Sequence, residues 1–145
     1  MTAQPAKTTA TELVDMFADF AINTVKEQDG VWVTYRGDVE FLIARNGNRK
    51  YRKLFTNAVE KNKRALDSKG DAAEAKAEEL LIDVMAKTIL LNWRGSLAIQ
   101  GTVTEYSEAA AKKLLAMPMF REWVNDQAND IAAYKAVQEN EDAGN

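Results

Sequence analysis

Apolar positions along this chain repeat with two different periods. Leu13, Met16, Phe17 and Phe20, followed by Thr24, fall at helical spacing, which predicts an amphipathic helix ending before Asp29-Gly30. Thr9 and Glu12 have capping-box spacing for its start. The period then changes. Val31-Trp32-Val33-Thr34-Tyr35 and Val39-Glu40-Phe41-Leu42-Ile43-Ala44 are rich in β-branched and aromatic residues, and predict two strands. Gly37-Asp38 between them suits a two-residue type II′ turn, in which glycine supplies the positive φ. Val31, Val33 and Tyr35 then share one face of the first strand, and Val39, Phe41 and Ile43 one face of the second. A lone hairpin is marginal in water, so helices are expected to cover its apolar side.

Helical periods resume after the turn Asn46-Gly47-Asn48. A basic helix is predicted over roughly 49–67, with Tyr51, Leu54, Phe55, Ala58 and Val59 on one side. Ser68-Lys69-Gly70 breaks it. A long helix is predicted from about Asp71 to Trp93, with Asp71 as N-cap and Glu74, Glu78 and Glu79 near its positive end. Its wide apolar face, Ala77, Leu80, Leu81, Val84, Met85, Thr88 and Leu91, marks it as the central helix. Arg94 to Glu105 reads as an irregular connection, with Val103 beside a short strand. Ser107 caps a helix through Leu115, and Pro118 opens the last one, whose face is Phe120, Trp123, Val124, Gln127, Ile131 and Tyr134. The expected fold is mainly α (α+β): about five helices with one N-terminal antiparallel β-hairpin at about 31–45. The expected organisation is a disordered leader over 1–8, one domain over 9–137, and an acidic flexible tail over 138–145.

Composition narrows the chemistry. The 145 residues include no cysteine and no histidine. Disulfides, thiol nucleophiles, Cys/His zinc sites and imidazole bases are therefore excluded, and no cofactor is expected. The N-terminal residues lack a basic segment followed by an apolar core, so no signal peptide is expected, and no apolar run approaches a membrane span. Among the remaining candidates, Glu78, Glu79 and Asp83 lie close on the long helix. A solvated acidic face near a helix start accounts for them better than a metal or acid-base site. Gly95 and Gly101 belong to no phosphate-binding motif. An enzyme is not expected.

Charge is lopsided. The net charge is -3, yet residues 45–64 carry +7 and the remainder -10. Arg45, Arg49, Lys50, Arg52 and Lys53 lead the basic run, and the stretch from Glu122 onward holds six acids against Lys135. Such a chain suits copies of itself or a partner of mixed charge. Nucleic acid on the 45–64 face is the alternative. Tyr51 and Phe55, four apart, point together toward a core, and the overall acidic balance also counts against that partner. Trp32, Trp93 and Trp123 are large apolar surfaces that usually serve the core and act as hot spots where exposed. The candidate partner-binding residues are thus Arg45, Arg49, Lys50, Arg52, Lys53, Trp32 and Trp123.

An ordered set of segments resembles the tail assembly chaperones of long-tailed bacteriophages. It comprises Asp29-Gly30-Val31-Trp32-Val33, Phe41-Leu42-Ile43-Ala44-Arg45, Asn46-Gly47-Asn48 with Tyr51, Ala86 through Trp93, Tyr106-Ser107-Glu108, Lys113-Leu114-Leu115, and Pro118 through Val124. The resemblance covers most of residues 29–135. Asn92 stands where that family usually has Asp, and the helix before Asp29 is longer than expected. The resemblance implies binding and solubilising the tape measure protein, helping to recruit the tail tube protein, forming a homo-oligomer, and working in the host cytoplasm while being absent from the finished virion. A structural tail or head-tail connector subunit is one alternative. A nucleic-acid-binding regulator using the basic face is another.

Overall fold

The computed structural model describes residues 13–135. The expected leader, the Thr9/Glu12 cap and the acidic tail lie outside the described residues. Two short helices come first, α1 (Met16–Phe20) and α2 (Thr24–Asp29), where one continuous helix was expected. The break at 21–23 has a local cause. The Asn23 side chain accepts hydrogen bonds from the amides of Val25 and Lys26, at 2.9 and 3.1 Å, and so starts a new helix. Ile22 meanwhile bridges antiparallel to Lys135. Gly30 ends α2 at φ 87°, as the sequence implied.

The hairpin is present as β1 (Val31–Arg36) and β2 (Val39–Ile43). Its turn has Gly37 at φ 60°, with Asp38 outside the positive-φ region, which fits type II′. Helices α3 (Arg49–Lys61), α4 (Lys63–Asp67) and α5 (Asp71–Thr88) follow, then strands β3 (Leu90–Arg94), β4 (Ala98–Ile99) and β5 (Thr102–Val103). Helices α6 (Glu108–Leu115) and α7 (Pro118–Ala128) and a 3-10 turn at Ile131–Tyr134 complete the described chain.

The expectation of a helical domain of about five helices with one hairpin is therefore corrected. Among the described residues there are seven α-helices and two sheets, one of order β1-β2-β3 and one pairing β4 with β5. This is an α+β fold. The long helix does not reach Trp93. It stops at Thr88, and Leu90–Arg94 turns into a strand antiparallel to β2, with Phe41 opposite Trp93 and Leu42 opposite Asn92. Local apolar content allowed either state. Pairing with β2 supplies ladder hydrogen bonds to an edge that a hairpin leaves open. The connection read as irregular contains the β4–β5 hairpin, with Ala98 opposite Val103. The last helix ends at Ala128, and Asp130 caps the separate 3-10 turn through a 3.1 Å bond from the Ala132 amide.

Phe41 is the hub of the inner sheet face. Its ring lies 5.4 Å from Phe120, 5.6 Å from Trp123 and 6.0 Å from Trp93. Ile43, Leu90, Met85, Ile89, Leu115 and Val124 are fully buried around it. α5 packs against α3, α4, α6 and β3, so it is the central helix that its apolar face announced.

Candidate partner-binding surfaces

α3 begins at Asn48, which is completely buried. Its side-chain oxygen accepts from the Tyr51 amide at 2.9 Å, and its NH2 donates to the carbonyls of Arg45 (2.8 Å) and Thr88 (3.1 Å). One side chain thus caps α3 and ties its start to the end of α5. With that end fixed, Tyr51, Leu54, Ala58 and Val59 turn partly inward, and Arg49, Lys50, Arg52 and Lys53 face solvent. Phe55 stacks on Tyr51 at 5.7 Å and stays 36% exposed at the border. Arg52 donates to the Gly47 carbonyl at 2.7 Å. Among the described residues, Arg49, Lys50, Lys53, Lys61, Lys63 and Arg64 make no ion pair. Arg49, Lys50, Arg52 and Lys53 of α3 are therefore exposed and outside any ion pair among the described residues.

Arg45 stands apart from them. It is half-buried beyond β2 and pairs with Glu27 at 3.4 Å. The two tryptophans are on opposite sides of the sheet. Trp123 sits half-buried on α7 against the inner face, its ring 5.3 Å from Tyr35. Trp32 lies on the outer face with the Arg94 guanidinium 3.9 Å above its ring. Arg94 also contacts Glu40 at 2.6 Å. The fold thus groups four of the seven candidates, Arg49, Lys50, Arg52 and Lys53, and separates the other three.

A further surface was not named from the sequence. Leu13 is 84% exposed, Phe17 82% and Phe20 59%, and Val14 and Met16 are also largely exposed. The helix face Leu13, Met16, Phe17, Phe20 was legible as a pattern. Whether it would meet the chain's own core was not, because periodicity describes a face and not its partner.

The acidic candidates have cationic partners. Glu78 accepts from Arg121 at 2.8 Å, Glu79 meets Lys76 at 3.5 Å, and Asp83 bonds Lys112 at 2.7 Å and Lys87 at 3.1 Å. The Lys112 hydrogen bond holds the Asp83 carboxyl below the usual range, with Lys87 assisting, and Asp83 in turn raises Lys112. Among the described residues no group of three or more acidic side chains is placed to hold a metal, and no helix is long and apolar enough to cross a membrane. A cleft of about 480 Å³ opens between the hairpin turn and Phe120. Its one acidic side chain, Asp38, is fastened to Ser96 by bonds of 3.1 and 3.0 Å, and these hold its carboxyl low. A carboxylate so engaged is poorly placed for proton transfer. What these surfaces offer is contact: exposed apolar side chains, one cationic face, and a flat aromatic under a guanidinium.

No curated protein and no solved structure matches this chain. A family model does match, over residues 46–145, from the turn before α3 through the end of the sequence. On that match, which spans well over half its length, the chain belongs to the YdaY prophage protein family.

Proposed function

We propose that this prophage-family protein is a tail assembly chaperone. It binds and solubilises the tape measure protein, helps recruit tail tube subunits around it, and acts in the host cytoplasm without entering the finished particle. The observation that carries this reading is the exposed apolar segment Leu13, Val14, Met16, Phe17 and Phe20. Exposed apolar side chains gathered on one short segment support a protein-binding role. A client helix laid on it would bury apolar area at roughly 25 cal/mol per Å². A patch of five side chains gives the modest contact that incoming tube subunits can displace. The α3–α4 cations add long-range attraction for acidic segments of a client.

Co-expression with a tape measure protein from the same phage type, followed by pull-down, tests the reading. A client that becomes soluble and co-purifies is the expected result. A client that stays insoluble and unbound refutes it.

The exposed cations of α3 favour a second reading, in which they bind nucleic acid. Its signature is a DNA or RNA mobility shift that fades as salt rises. No shift at low salt removes it.

A further inference from the structure

Positive charge gathers at the end of α3 where helices ordinarily carry acids. Arg49, Lys50, Arg52 and Lys53 fall within about 6 Å of helix axis, and the first turn holds no acid. The positive end of the helix dipole adds to their field instead of offsetting it. Glu60, the one acid of α3, lies at the far end. Glu27, on the strand side of the turn, is taken by Arg45. All four cations are exposed, and none makes an ion pair among the described residues. The last described residues are fastened to the strand and turn that lead into this helix. The Asn46 amide donates to the Ala128 carbonyl at 2.9 Å, and the Tyr134 hydroxyl to the Ile43 carbonyl at 2.8 Å.

We propose that the acidic segment Glu139-Asn140-Glu141-Asp142 docks on the Arg49–Lys53 face of its own chain. Charge selects this occupant: residues 136–145 carry three acids and no cation, set against four cations on the helix. Length permits it. Glu139 and Asp142 lie four and seven residues past Lys135, roughly 13 and 25 Å of extended chain. Six residues separate Ile43 from Arg49, and the bond from the Asn48 amide to the Arg45 carbonyl folds that path back. Tethering favours this segment over the same acids on a second copy, because a short linker holds it at an effective concentration on the order of a millimolar. Exposed ion pairs are individually weak, so an anionic partner can displace it. The segment is thus a built-in competitor for the cations of α3. The contact involves no client and is independent of the chaperone reading.

The chain has no cysteine, so a nitroxide placed on Ala143→Cys is the single label in the full chain. Amide signals of residues 49–53 should lose most of their intensity at low salt and recover at about 1 M salt, where the Debye length is about 3 Å. The loss should persist on dilution and be absent when nitroxide and isotope label sit on different chains. Arg49→Glu with Lys50→Glu and Lys53→Glu should abolish it, and adding Glu139→Lys, Glu141→Lys and Asp142→Lys should restore it. Those three cations are exposed and outside any described ion pair, so circular dichroism should show the fold kept. Deleting residues 138–145 should tighten binding of a polyglutamate peptide by about fivefold, as when about one-fifth of the full chain is open. Unbroadened 49–53 signals at low salt, broadening only between chains, a charge swap that fails to restore it, or an unchanged polyglutamate affinity each overturns the proposal. The client pull-down forms no part of this test, so either reading can fail alone.

Discussion

The hydroxyl of Tyr134 donates to the main-chain carbonyl of Ile43 across 2.8 Å, and both residues are fully buried. The bond joins the last described turn to the end of β2. The Tyr134 carbonyl in turn accepts from the Asn23 amide at 2.8 Å. One tyrosine therefore holds the segment before α2 and the segment after α7 on the same side of the sheet. Tyr134→Phe keeps the ring and strands the Ile43 carbonyl, so it should cost roughly 1 to 3 kcal/mol in denaturant unfolding. Burial raises the pKa of the phenol, with Asp130 assisting. The neutral form is the one folded in place. That contribution is complete below the ordinary phenol pKa and is lost as pH rises through the raised one, so alkaline unfolding should be less steep in the Phe variant.

Asn48 is the second such anchor, and its three bonds are all local to the α3–α5 junction. Asn48→Ala removes the cap and takes the side-chain donor from the Thr88 carbonyl, while the Arg45 carbonyl keeps the residue 48 amide at 3.2 Å. A loss of about 2 to 4 kcal/mol is expected by chemical denaturation, together with faster hydrogen exchange at the α3 start. A loss below about 0.5 kcal/mol, the size of a neutral surface change, would contradict this account.

Gly95 sits at φ 99°, and a Cβ there would run into the Asp38 carbonyl. The neighbouring Ser96 holds the Asp38 carboxylate, so this is where the hairpin turn is fastened to the end of β3. Gly95→Ala combines a disfavoured backbone angle with a backbone clash and should destabilise by about 2 kcal/mol or more. Gly101→Ala, also at positive φ but with open space around its Cβ position, should cost less.

Acid should weaken the contact between α5 and α6. Lys112, then Lys87, stabilise ionised Asp83. A carboxyl held low contributes stability above its unfolded pKa, about 4, and loses it as pH falls through the lower folded value. Asp83→Asn should flatten the pH dependence of stability on that acid limb and leave the neutral-to-alkaline region nearly unchanged. An unaltered acid limb would show that the Asp83 pairs carry no pH-dependent stability.

Phe17→Ser with Phe20→Ser tests the apolar segment directly. Both rings are already mostly in water, so stability should change by less than about 0.5 kcal/mol. Under the proposed function, the yield of soluble client in co-expression should fall severalfold. A variant that solubilises the client as well as the native chain would remove this segment from the binding surface.

Much of the local structure was readable in the residues. The Gly37-Asp38 turn, the Ser107 cap, Pro118 at the start of α7 and the Gly30 stop each depend on bonds within four residues or on one backbone angle. The basic face of α3 followed from the same short-range periodicity.

Other features depended on partners far along the chain. Leu90–Arg94 became a strand because β2, some fifty residues earlier, offered an edge to pair with. The Leu13–Phe20 face stayed in water because no element of the described chain packs over it. Trp32 and Trp123 were sent to opposite faces of one sheet by register and by the docking of α7. Residues alone determined several of the helix starts and turns, such as Ser107, Pro118 and Gly37-Asp38, since those are settled by nearby amides, carbonyls and φ angles. The start of α2 at Asn23, and the Gly70 cap of α5 where Asp71 was expected, were not legible in that way. Only the tertiary structure decided which apolar faces found cover, because burial is a property of two surfaces brought together and the chain writes down each one separately.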